Sequence, residues 1–176
     1  MRWLPAEPLF SRVGRQHNSP MNTDSKTRTC LWFGSGGEEA ARFYVTLLPD
    51  SRIESVYRRA SDEPALVVDF TLGGAPYQIL NGGPEVSQSA AVSISVVTED
   101  QAETDRLWEA LTADGGKEGR CAWLTDRFGV SWQIVPRALI DGLMSDDAAA
   151  AERVFQAMLT MSKIDVAGIE AAHRGD

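Results

Sequence analysis

Residues 29–48 read TCLWFGSGGEEAARFYVTLL, and three kinds of local structure follow one another within them. Thr29 to Phe33 is a short β-prone run, and Gly34-Ser35-Gly36-Gly37 interrupts it. After the glycines, Ala40, Phe43, Tyr44, Leu47 and Leu48 recur at the i, i+3, i+4, i+7, i+8 spacing that lines one face of a helix. The stretch therefore predicts strand, turn and amphipathic helix. Glu38 and Glu39 fall in the first turn of that helix, where the macrodipole favours carboxylates, so the acidic pair needs no catalytic explanation.

Moving outward, Pro49-Asp50 stops the helix, and residues 52–59 and 66–72 read as strands on either side of the turn-rich Ser61-Asp62-Glu63-Pro64. Gly73-Gly74 predicts a hairpin turn into a short strand over 77–81, which Gly82-Gly83-Pro84 ends. The order then recurs, with a strand over 91–97 and a helix over 100–113 that sets Thr104, Leu107, Trp108 and Leu111 on one face. The break Gly115-Gly116 and strands near 121–125 and 130–135 complete the second copy. A repeat with a period of about 60 residues is the strongest organisational signal in the chain. It predicts an α+β fold of two βαβββ modules, about 27–84 and 90–136, within a domain over 27–144. From 145 to 176 the pattern is helical: Ala151, Val154, Phe155, Met158 and Leu159 share a face, and Asp165 can cap a short helix holding Ile169 and Ala172. Those helices need a surface to cover, either the sheets or a second subunit. Residues 1–26 sustain no period and read as a flexible leader.

Composition narrows the function. A chain of 176 residues, 43% of them hydrophobic, can bury a core without staples. Its 25 acidic and 17 basic side chains, a formal net charge of -8, repel phosphate backbones and anionic lipid, so neither nucleic acid nor membrane is an expected partner. Cys30 and Cys121 lack the spacing of a disulfide framework or zinc site, and a reducing cytoplasm is the expected location. Both cysteines are expected to pack as small hydrophobes.

Several motifs together carry a family resemblance: Cys30-Leu31-Trp32-Phe33, Glu38 to Tyr44, Pro49-Asp50-Ser51, Asn81-Gly82-Gly83-Pro84, the run DRFGVSWQIVP over 126–136, and Lys163-Ile164-Asp165. From about residue 27 to 175 the chain resembles the PhnB-like family of the vicinal-oxygen-chelate (glyoxalase-like) superfamily. That resemblance implies a curved, glyoxalase/bleomycin-resistance-like sheet around a cavity, in a homodimer. Many such proteins carry the name 3-demethylubiquinone-9 3-methyltransferase, yet antiparallel-looking hairpins replace the βαβ crossovers of a typical S-adenosylmethionine-binding sheet.

In enzymes of this superfamily each module lends two metal ligands, usually His, Glu or Gln, from its first and last strands. The matching positions fall at or near Thr29 and Gln78, and Ser93 and Gln133. This neutral set is poor in imidazole and carboxylate, so no metal and no other cofactor is expected, with Asp69 the nearby carboxylate candidate. Asn81 ends its strand at the expected pocket rim, although alternation lets only one of the pairs Tyr77–Asn81 and Gln78–Leu80 point into the cavity, and Gln78 is the one expected there. His17 and His173 lie in the leader and the last helix, away from these positions. The leading expectation is a small-molecule-binding homodimer with a pocket lined by Thr29, Asp69, Gln78, Asn81, Ser93 and Gln133. A metal-dependent lyase or dioxygenase, in which Gln78, Gln133 or Asp69 holds an ion, and a methyltransferase are the alternatives.

Overall fold

The computed structural model describes residues 26–176; the leader reading and His17 lie outside the described residues, apart from Lys26. Thr29–Phe33 forms β1, Gly37–Tyr44 α1, Arg52–Tyr57 β2, Val67–Leu72 β3 and Ala75–Asn81 β4. They build a four-stranded sheet in the order β1-β4-β3-β2, with β1 parallel to β4 and the other pairs antiparallel. The second half repeats this topology with β5 (Ser93–Thr98), α2 (Gln101–Thr112), β6 (Lys117–Glu118), β7 (Trp123–Thr125) and β8 (Ser131–Pro136), in the order β5-β8-β7-β6. The fold is thus α+β, two open mixed sheets of βαβββ connectivity, as the repeat implied. Gly73 and Gly74, at φ 53° and 80°, make the tight β3–β4 hairpin, since two consecutive left-handed residues are what its turn needs.

Apart from β2 the strands largely alternate, and one face of both sheets turns to α1 and α2. Leu31, Phe33, Val68, Phe70, Ile79, Ile94, Val96, Leu124, Trp132 and Ile134 join Ala40 and Tyr44 of α1 and Leu107, Trp108 and Leu111 of α2 in one continuous core. The two halves therefore share their apolar interior. The DRFGVSW motif locks them together. Asp126, 3% exposed, accepts hydrogen bonds from Tyr44 Oη (2.7 Å), Trp132 Nε1 (2.9 Å) and the backbone N–H groups of Phe128 (2.9 Å) and Val130 (3.0 Å). Burial and the adjacent carboxylate push the Tyr44 phenol far up, so it stays a donor.

The polar loop after β4 is also structural. Asn81 Oδ1 accepts from Gly37 N at the start of α1, and its Nδ2 donates to Ala65 O. Trp32 Nε1 donates to Gly83 O, and a Cβ on Gly82 would lie 2.4 Å from the Trp32 ring.

Three helices, α3 (Arg137–Leu143), α4 (Ala148–Leu159) and α5 (Val166–Arg174), close a smaller core of Ala122, Leu139, Val154, Ile164 and Ile169. They cover part of the second sheet, with Val135 packed against them. The sequence pattern predicts no helix at 137–143, because β8 passes into α3 at Pro136 with no intervening turn residues to mark the change. Nor does 121–125 begin as a strand: Cys121 and Ala122 adopt left-handed φ of 55° and 72°, and their N–H groups are held by the carbonyls of Met161 and Ser162. Among the described residues no helix is long and apolar enough to cross a membrane.

Candidate functional site on the open sheet faces

The faces turned away from α1 and α2 carry the polar residues, and α3 to α5 cover part of that face on the second sheet at Val135. On the first sheet, β-ladder register aligns Cys30, Gln78, Asp69 and Ser55 in a row across all four strands. Asp69 gathers this row: it accepts from Gln78 Nε2 (2.8 Å), Ser55 Oγ (2.9 Å) and, as an ion pair, Arg28 Nη1 (2.8 Å). Its charge is therefore neutralised within the sheet. The exposed Cys30 stands at the end of the row, contrary to the packed hydrophobe expected of it. Burial, the leading cause, and the Asp69 charge push its thiol up while Arg28 pulls it down, which leaves it a thiol rather than a nucleophilic thiolate.

On the second sheet Gln133 Nε2 donates to Ser93 Oγ at 2.8 Å, and Gln133 lies in register with Ser95 on one side and Trp123 on the other. The same face holds Ser131 and Thr125. The structure thus brings Gln78 to Asp69 and Ser93 to Gln133, as two groups on two sheets. Among the described residues no hydrogen bond joins the groups. Thr29 pairs in register with Tyr77 rather than Gln78, at one end of β1, where it lines a cavity of about 310 Å³ with Thr27, Arg28, Ala75, Pro76 and Tyr77. Asn81 lies on the Tyr77 face, committed to Gly37 and Ala65.

The donor set can be weighed against a divalent ion. Among the described residues no group of three or more His, Cys, Asp or Glu side chains could hold one. Gln78 and Gln133 bring neutral amides, and Asp69 already accepts three hydrogen bonds. Such a set does not fit the imidazole and carboxylate cage that holds catalytic zinc, iron or manganese.

A family profile described as 3-demethylubiquinone-9 3-methyltransferase matches residues 25–135. The chain belongs to that family. Among solved structures, a PhnB protein from Bacillus cereus whose description carries the same methyltransferase name is 27% identical, with a TM-score of 0.58 over 64% of this chain and 99% of its own. A protein from Pseudomonas aeruginosa is 23% identical, with a TM-score of 0.53 over 64% and 97%. The fosfomycin resistance protein FosX from Listeria monocytogenes shares the fold at 14% identity, with a TM-score of 0.51 over 69% and 98%. No match is found among curated proteins. These neighbours make the fold that of the vicinal-oxygen-chelate superfamily. In this family member Arg28 and Ser55 are partners of Asp69 that the sequence does not single out. Ser55 reaches Asp69 through β-sheet register, on a strand whose irregularity between Ile53 and Ser55 breaks simple alternation, and Arg28 reaches it from just before β1, 41 residues away in sequence.

Proposed function

We propose that this protein binds a small organic molecule between the open sheet faces of a homodimer, without classical metal catalysis. One observation carries the reading: the open faces carry two separate groups of amides and hydroxyls, Gln133 with Ser93 on one sheet and, on the other, Gln78 and Ser55 around the carboxylate of Asp69, which Arg28 pairs. This is the chemistry of recognition, with no activated nucleophile and no ion cage. Dimerisation is supported by the split of the site over two sheets. The cavity at one end of β1 holds Thr29 and Arg28 but none of Asp69, Gln78, Ser93 and Gln133, and a second copy laid over the open faces would enclose those four residues.

Native mass spectrometry of the freshly purified protein tests the proposal. The expected species is twice the 19.2 kDa chain with no stoichiometric metal. A monomer would remove the shared pocket, and one iron, zinc, manganese or nickel per chain would replace binding with metal chemistry. The methyl transfer in the family's name finds no support in two open mixed sheets, which lack the doubly wound parallel sheet of typical S-adenosylmethionine enzymes. Calorimetric titration with S-adenosylmethionine is expected to give no binding heat.

A further inference from the structure

We infer that the molecule bound at these faces is a flat apolar body bearing N–H or O–H donors, uncharged or cationic, and not an anion; this rests on the pocket reading above. The argument begins at Gln78. Its side chain is half-buried and meets Asp69 Oδ1 at 2.8 Å. An ionised carboxylate has no proton to give, so the amide must turn its NH2 group to Asp69 and its carbonyl oxygen away. The orientation is thereby set by charge. The anchor is firm, because the Asp69 side chain is only 13% exposed and is held from β2 by Ser55 and from the start of β1 by Arg28. Among the described residues no hydrogen bond reaches Gln78 Oε1, which leaves an oriented acceptor on the open face.

The second sheet carries a similar pair, although the partner there is a serine hydroxyl, which can donate as well as accept and so does not fix the amide as the Asp69 carboxylate does. Gln133 spends its Nε2 on Ser93, and among the described residues its Oε1 is likewise without a hydrogen bond. A half-buried tryptophan shares each face: Trp32 on the strand beside Gln78, and Trp123 in register with Gln133. Two outward amide oxygens beside two indole walls match a ligand that stacks and donates. A carboxylate or phosphonate offers these oxygens only further lone pairs, and it would enter a chain of net charge -8.

Benzamide and benzoate are nearly the same shape and differ in the NH2 that replaces an anionic oxygen. Each is titrated into the full-length, 15N-labelled protein while the side-chain amide signals of Gln78 and Gln133 and the indole signals of Trp32 and Trp123 are followed. Benzamide is expected to shift these signals and benzoate to leave them in place. Gln78→Met, which keeps the length and loses the acceptor, is expected to weaken benzamide about five- to tenfold while the backbone spectrum stays folded. Benzoate moving the signals as strongly as benzamide, or the variant binding benzamide unchanged, overturns the inference and leaves the pocket reading standing. Silence from both probes at these four residues sinks the pocket reading and the inference together.

Discussion

Asp126 accepts four hydrogen bonds within the core, two from side chains of different modules and two from its own turn. Removing one donor leaves part of a buried carboxylate without its partner, which costs more than the bond itself was worth. Tyr44→Phe keeps the ring contact with Trp132, whose centroid is 5.2 Å away, and deletes only the hydroxyl. It is expected to lower the free energy of unfolding by about 1–3 kcal/mol in a urea titration, with the fold retained. At the same scale, Gly82→Ala would drive a methyl into the Trp32 ring and should destabilise by about 1–3 kcal/mol. Both residues sit in motifs that invite a functional reading, and both serve the framework.

Among the elements, the stretch between α4 and α5 explains the Lys163-Ile164-Asp165 motif. Ile164 is fully buried in the smaller core, its carbonyl accepts from Gln101 Nε2, and Asp165 caps α5 through Ala167 N. Ile164→Ala is expected to cost about 2–5 kcal/mol, read from the denaturation midpoint. Lys163 pairs with Asp105 of α2 at 2.6 Å. The Lys163 hydrogen bond, helped by Gln101, holds the Asp105 carboxyl below its ordinary 3.8. A depressed folded value makes the contribution present above that ordinary value and lost as the pH falls below it. Because the pair is exposed, the effect is small: acid titration of Lys163→Met against the parent chain should narrow their stability difference below about pH 4.

At the scale of the whole molecule, the duplication has not produced two independent units. Tyr44 and Phe43 of the first half meet Phe128 and Trp132 of the second within one core. Denaturation followed by tryptophan fluorescence and by far-ultraviolet circular dichroism should therefore show coincident single transitions, and two separated transitions would contradict a shared core. Alternation and helical spacing by themselves determined the repeat and most of its elements, because those periods follow from local geometry, while the two-residue β6 is too short to show a period. They also set Asp69 and Gln78 each on one face of its own strand, but only the β3–β4 register put the two side by side. Only the tertiary structure decided that Arg28 and Ser55 close around Asp69, that Cys30 is exposed, and that Asn81 serves α1. Each of these depends on strand register or on contacts more than ten residues apart in sequence, where side-chain period carries no information about which neighbour is met.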